Sequence, residues 1–382
     1  MTTKAPRETG IELGRIYCCF CVILIHLSFF VPAYPVISLT WSLAKCASTP
    51  VFFLIAGFFF APEKPFAMYL SRLIARVIIP LIVVMLVIAQ LTPWLASQGN
   101  FWDCLKRLNY DNLILVGRIL ITTWPYDYLP DYNPFLSLWF SFALLLCYLC
   151  IPLLKMICAD NPEARKLKGY LLGLGAIFFI FRVSILCAFP DSFTAQHLDW
   201  WIEEKPFYWL WLMILGHELA LYLKKPEFLR KWRPKLLSAS LGTYILGGVT
   251  LFFLTMTFNV DPEGLVDQRY FVREFVFYFL AQVGMFVFFC ALPPWRGWVG
   301  RAILFVADKT FYIYIIHEAV YLKLMAVTSP DLTSLSHYLG FGALTFGVAL
   351  VIGCLLKALE RAIAKRLGAG SKTPPLKTLT AS

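Results

Sequence analysis

The sequence predicts an all-α integral membrane protein, a polytopic helical bundle of about ten transmembrane helices with both termini in the cytoplasm. Three observations carry this. Of 382 residues, 59% are hydrophobic and only 15% charged, against about 25% charged in a soluble domain. A chain this apolar has too little polar surface to cover a water-soluble globule, so hydrocarbon must be its main solvent. The apolar residues fall into ten runs, most near the ~20 residues that a helix needs to cross a bilayer. Lysine and arginine, finally, gather in alternate connections.

Taken in order, the first run covers 15–31 and reads back through Ile11. Lys4 and Arg7 before an apolar stretch imitate a signal peptide, but the stretch holds His26 and has no clear small-residue cleavage site, so it reads as the first span. The others are 42–60, 73–91, 137–158, 169–189, 206–223, 236–258, 271–292, 302–326 and 338–358. Leu113–Thr123 is about half the length of a span and contains Arg118, so it is expected as a surface or re-entrant helix. Residues 92–136 form one long outer loop. Trp102, Trp124, Tyr126 and Tyr128 within it suit a structured lid at the headgroup level. Residues 1–14 form an N-terminal segment, 15–360 the membrane domain, and 361–382 a basic tail read as disordered.

The connections set the orientation. One series carries Lys64, Arg72 and Arg76, then Lys155, Arg165, Lys166 and Lys168, then the cluster from Lys224 to Lys235, then Arg296 and Arg301. The alternate series is poor in positive charge and holds Asp191, Asp199, Glu203, Glu204, Asp261, Glu263 and Asp267. Both termini are basic and belong with the first series, which is the cytoplasmic one. An even number of spans follows. The net charge of +11 is therefore topological, and nucleic-acid binding is set aside. Of eleven cysteines, all but Cys104 lie in apolar runs without metal-ligand spacing. They read as small buried hydrophobes, and no metal site is expected.

Ionisable groups inside the spans carry the functional information, because each costs roughly 2.5–3.5 kcal/mol to insert. They are Arg15, His26, Lys45, Arg76, Arg182, His217, Glu218, His317 and Glu318. Arg15 and His26 are eleven residues apart, about three turns, so they share a helix face with about 16 Å between them along the axis. Counting from Arg301 places His317 about 24 Å up, in the outer half of the membrane. Arg182 is about 21 Å above Lys168, and Lys45 lies within about one turn of Trp41. Lys45, Arg182 and His317 are thus candidates to line an outer polar cavity with His26 beneath it. For Lys45, snorkelling to the headgroups is the equal alternative. Glu318, one position after His317, is expected to leave the helix in another direction. His217 and Glu218 lie nearer the cytoplasm, where a structural pair with a neighbouring helix is favoured over donor binding.

These residues resemble the signatures of the membrane acyltransferase-3 family. Arg15 through His26 is similar to its Arg–ten residues–His motif. Pro50–Phe60, with Ala56 where the family usually has Ser, resembles its Phe-Phe-x-x-Ser-Gly-Phe element. Arg72, Arg76 and Pro80 are similar to its Arg…Arg…Pro pattern at the third span. Leu138–Trp139–Phe140 resembles its Leu-Trp-Phe, and Tyr314 with His317 its Tyr-x-x-His. The resemblance implies transfer of an acyl group, usually acetyl, from cytoplasmic acyl-CoA to a hydroxyl on an extracytoplasmic glycan or lipid-linked sugar. Without an extra soluble domain, the chain looks most like the single-domain type that O-acetylates bacterial surface polysaccharides such as enterobacterial common antigen. It also implies a bacterial inner-membrane location.

On this reading Arg15, Arg72 and Arg76 hold the CoA phosphates, since guanidinium forks match phosphate oxygens. His26 serves as general base or as a covalent acyl carrier, two routes the sequence leaves open. His317, Arg182 or Lys45 would stabilise the oxyanion or position the sugar, with Trp139 as a further acceptor contact. No bound cofactor is expected, acetyl-CoA being a substrate. The competing class is a transporter or flippase, which also uses intramembrane Arg and His; against it stands the lack of a clear internal repeat.

Overall fold

The computed structural model describes residues 8–28, 34–95, 100–106, 139–181, 206–258 and 276–366. Among these residues there is helix but no strand. The elements are α1 (Thr9–Leu27), α2 (Pro35–Lys45), α3 (Thr49–Phe58), α4 (Phe66–Leu73), α5 (Ile79–Leu95), α6 (Phe101–Lys106), α7 (Trp139–Leu149), α8 (Ile151–Ile157), α9 (Pro162–Gly175), α10 (Pro206–Leu223), α11 (Pro226–Phe258), α12 (Val276–Ala291), α13 (Gly297–Ala307), α14 (Thr310–Thr328) and α15 (Leu335–Arg366). Proline opens α2, α9, α10 and α11, where its missing N–H would have had no partner and its fixed φ already fits a helix. Asn161 completes the start of α9 by accepting from the Ala164 N–H at 2.8 Å.

Among the described residues, six stretches are long and apolar enough to cross a membrane: Thr9–Leu27, Pro35–Phe58, Phe66–Ile88, Pro226–Leu254, Thr310–Thr328 and Leu335–Ala362. Phe207–Leu223, Val276–Ala291 and Gly297–Ala307 are shorter apolar helices. The protein is a multi-pass helical membrane protein. Several expected spans prove to be broken. The second turns at Lys45–Ser48 before Pro50, and the fourth breaks at Cys150 before Pro152. The apolar run expected as one helix over 302–326 stops at Ala307 and restarts at Thr310. Asp308 in that gap pairs with Lys357 at 2.7 Å, and the Thr310 hydroxyl donates to the Ala307 carbonyl at 2.9 Å. The last helix runs past position 360 to Arg366. The long outer loop beyond Lys106, the segment Leu113–Thr123 and the tail from 367 lie outside the described residues.

α1 is the hub, packing against α2, α3, α12, α13, α14 and α15. α3 crosses α10 so closely that a Cβ on Gly57 would lie 2.0 Å from the Met213 carbonyl oxygen, and one on Gly216 would lie 2.2 Å from that of Leu54. Small residues permit this approach, the usual means of tight packing where lipid offers no hydrophobic drive. The basic connections meet at one end of the bundle. Lys155 donates to the Lys64 carbonyl at 2.7 Å, and Lys224 to the Phe58 carbonyl at 2.6 Å at the negative end of the α3 dipole.

Candidate functional site

A cavity of about 310 Å³ opens at this basic end, lined by Arg15, Arg72 and Arg76 together with Tyr69, Tyr148, Thr310 and apolar groups from α3, α7 and α10. Three elements deliver the guanidinium groups. Arg15 stands one turn and a half into α1 and is pinned by Glu12 Oε2 at 3.0 Å, a neighbour on the same helix face. Arg72 and Arg76 straddle the junction of α4 and α5, where residues Ile74–Ile78 form a widened π-type turn. Pro80 explains it: it lacks the N–H that would have bonded the Arg76 carbonyl, and its ring crowds that oxygen. Three positive charges on one cavity of this size suit a polyanion.

The cavity's inner end is aromatic. Phe52, Phe140 and Tyr314 all line it and touch one another, with ring centroids 5.5 Å apart for Phe52–Phe140, 4.7 Å for Phe140–Tyr314 and 6.1 Å for Phe52–Tyr314. They come from α3, α7 and α14, each from a different sequence signature. Ala56 lines the same space.

One turn beyond Tyr314 lies a second cluster. His26 on α1 faces His317 on α14, ring centroids 5.1 Å apart, and His26 Nδ1 is 3.1 Å from Glu318 Oε1. The His26 side chain is 12% exposed and Glu318 is wholly buried. The histidine therefore points into the bundle rather than into lipid. His317 is also wholly buried, and its Nδ1 lies 2.5 Å from the Tyr314 carbonyl oxygen. A carbonyl can only accept, so Nδ1 carries the hydrogen and Nε2 the lone pair. That Nε2 has no hydrogen-bond partner among the described residues. The ligand atoms of His26, His317 and Glu318 lie within 4.8 Å of one another, a donor set that could hold a divalent metal ion.

The arrangement differs from the sequence expectation in two ways. Glu318 does not leave the site: α1 lies in the notch between positions 317 and 318 and touches both. His26 is not among the residues lining the arginine cavity, from which the aromatic trio separates it. Lys45 stands over the Trp41 ring at 4.8 Å, at the end of α2. Arg182 and the Trp139 side chain lie outside the described groups. Glu218 forms the expected structural pair, 2.6 Å from Lys168 on α9, and the His217 ring packs edge-on against Phe60.

The helical bundle thus carries a cationic cavity at one end and an imidazole–carboxylate cluster one turn beyond Tyr314 in its wall. Residues 8–354 match the acyltransferase domain of the acyltransferase-3 family, and the chain belongs to that family of membrane acyltransferases. No curated protein and no solved structure matches the chain.

Proposed function

We propose that this membrane acyltransferase transfers an acetyl group from cytoplasmic acetyl-CoA to a hydroxyl of a cell-surface polysaccharide or its lipid-linked sugar precursor, from the bacterial inner membrane. Ten spans with both termini in the cytoplasm go with this proposal, since the alternation of basic connections then puts the arginine cavity on the CoA side. The observation that carries the reading is the stacking of two sites along α1: three guanidinium groups on one cavity, and His26 against Glu318 beyond its aromatic wall.

The CoA phosphates bind Arg15, Arg72 and Arg76, and the pantetheine arm passes between Phe52, Phe140 and Tyr314, whose rings must part to admit it. With Glu318 Oε1 3.1 Å from its Nδ1, His26 turns that nitrogen's hydrogen toward the carboxylate in the reacting state, which leaves Nε2 with its lone pair as the base, the division of labour found in hydrolytic triads. The sugar hydroxyl gives its proton to His26 as its oxygen attacks the thioester carbonyl. The tetrahedral adduct collapses, the C–S bond breaks, and the CoA sulfur takes the proton back from the imidazolium. Glu318 favours that transient imidazolium strongly in a dry site. His317, whose Nε2 accepts, orients the sugar by taking a second hydrogen bond; an oxyanion would need donors from elsewhere. A carrier or flippase for acyl groups would need no base poised in this way, and it predicts movement without a covalent product. Incubating purified protein with labelled acetyl-CoA and a surface-glycan acceptor tests the choice. Mass spectrometry should show the acceptor heavier by one acetyl group, and an unmodified acceptor would overturn the proposal.

A further inference from the structure

α11 overshoots the membrane. It has 33 residues, about 50 Å at 1.5 Å each, against a hydrocarbon core of about 30 Å. Its apolar run begins at Leu236, so residues 226–235 project about 15 Å past the core at the basic end of the bundle. This projection and the end of α10 carry a strip of rings and cations. Tyr222, Phe228 and Trp232 follow one another with ring centroids 6.2 and 6.5 Å apart. The Lys225 ammonium stands 5.5 Å from the Tyr222 ring, and those of Lys231 and Lys235 stand 5.6 and 5.1 Å from the Trp232 ring. Tyr222 and Trp232 are 51% and 38% exposed. A ring attracts an ammonium by its face without using up the N–H groups as a carbonyl oxygen would, so these remain available to another acceptor.

Cations elsewhere at this end are occupied: Lys155 by the Lys64 carbonyl, Arg165 by Asp160, Lys168 by Glu218 and Lys357 by Asp308. The side chains of Arg230, Lys231, Arg233 and Lys235 form no ion pair among the described residues, and Arg233 Nε is enclosed there without a hydrogen-bond acceptor. Glu227 is the one acid between 224 and 235. We propose that this strip is a binding surface for anionic phospholipid headgroups in the leaflet at the basic end, the cytoplasmic one in the topology given above. Phosphate oxygens take the lysine and arginine N–H groups, while Tyr222 and Trp232 lie at the glycerol level that such rings prefer. A zwitterionic headgroup carries its own compensating cation and gains less from the same contacts. The inference is separate from acetyl transfer and needs neither donor nor acceptor.

The test is lipid retention by the purified full-length protein in mild detergent, read by native mass spectrometry. The probes are phosphatidylglycerol, phosphatidylcholine and inorganic phosphate. Phosphatidylglycerol should be retained in preference to phosphatidylcholine, and the preference should shrink as salt is raised. Lys231→Gln with Lys235→Gln should weaken phosphatidylglycerol about tenfold, each lost cation costing several-fold, and leave phosphatidylcholine unchanged. Arg230→Gln should act in the same direction with a smaller drop. These side chains are exposed, so melting temperatures in lipid-free detergent should match the wild type and show that the variants are folded. Arg165→Gln, a cation of the same end already held by Asp160, should keep the preference intact. Equal retention of the two phospholipids (annular lipid only) or an equal loss with Arg165→Gln (net charge alone) would overturn the proposal. So would a response to inorganic phosphate that matches phosphatidylglycerol (an adventitious ion only), or undiminished phosphatidylglycerol binding by the double variant.

Discussion

Cys19 Sγ lies 3.7 Å from the Thr310 carbonyl oxygen, and seven residues farther along each helix His26 faces His317. Seven residues is about two turns, so α1 and α14 run side by side in constant register. The contact sets the level of the whole site. Arg15 falls one turn below it at the cavity, Tyr314 one turn above it at the aromatic wall, and the imidazoles beyond.

Glu318 should matter through His26. Glu318→Gln keeps the shape but cannot hold a positive charge on the imidazole. We expect kcat to fall about 10²–10⁴-fold, within the range of general acid–base contributions, with little change in KM for acetyl-CoA. The pH profile of kcat should shift as well, which a merely structural role would not produce. Steady-state kinetics from pH 5 to 9 check this.

The arginines should show the opposite split. Arg72→Ala and Arg76→Ala remove phosphate contacts far from the reacting carbon, so each should raise KM for acetyl-CoA about tenfold or more with a smaller effect on kcat. Lysine at either position should restore only part of the affinity, being a point charge rather than a fork. Competition by CoA measured on the same variants separates binding from chemistry.

Gly57→Ala should destabilise the bundle, whereas Ala56→Ser should be tolerated. A Cβ at 57 meets backbone rather than a movable side chain, so α3 and α10 must part at a cost of about 1–3 kcal/mol. A hydroxyl at 56 projects into the cavity. Melting temperatures in detergent should fall clearly for the first variant and stay within a degree or two for the second.

Asp308 gives the account a pH dependence outside the spans. Burial pushes its carboxyl up, but Lys357 and Lys309 beside it prevail and hold it below the ordinary range. A depressed carboxylate contributes stability that is present above its unfolded value, near 3.9, and is lost as pH falls through the lower folded value. The join between α13, α14 and α15 should therefore loosen only below about pH 4. Asp308→Asn should show the loss at neutral pH already, and hydrogen exchange across 304–312 is the measurement.

Chelation separates the acid–base reading from a metal centre. Acetyl transfer should survive EDTA, since the reaction uses His26 as the base with the Glu318 carboxylate 3.1 Å from its Nδ1. Loss of activity with recovery on adding zinc would instead make His26, His317 and Glu318 the ligands.

Much of this was legible in the residues. Burying charge is costly enough that Arg15 and His26 stood out by rarity, and their eleven-residue spacing placed them along one face of one helix. What failed was reasoning confined to a single helix. Glu318 projects about 100° from His317 and so read as pointing away; only the seating of α1 between the two positions brings both into contact. Asp308 and Lys309 sat inside a window apolar enough to pass for one span, so the break between Ala307 and Thr310 was not legible. The arginine cavity could be expected from charge alone, whereas the aromatic wall could not. Phe52, Phe140 and Tyr314 are far apart in sequence, and although each falls in a different signature, nothing local shows that their rings meet.

The most direct measurement is single-turnover acetyl transfer from labelled acetyl-CoA to a glycan acceptor by His26→Ala, purified beside the wild type and shown to bind CoA equally well. The account predicts label on the acceptor with the wild type and none above background with the variant. Transfer by the variant at the wild-type rate would contradict it.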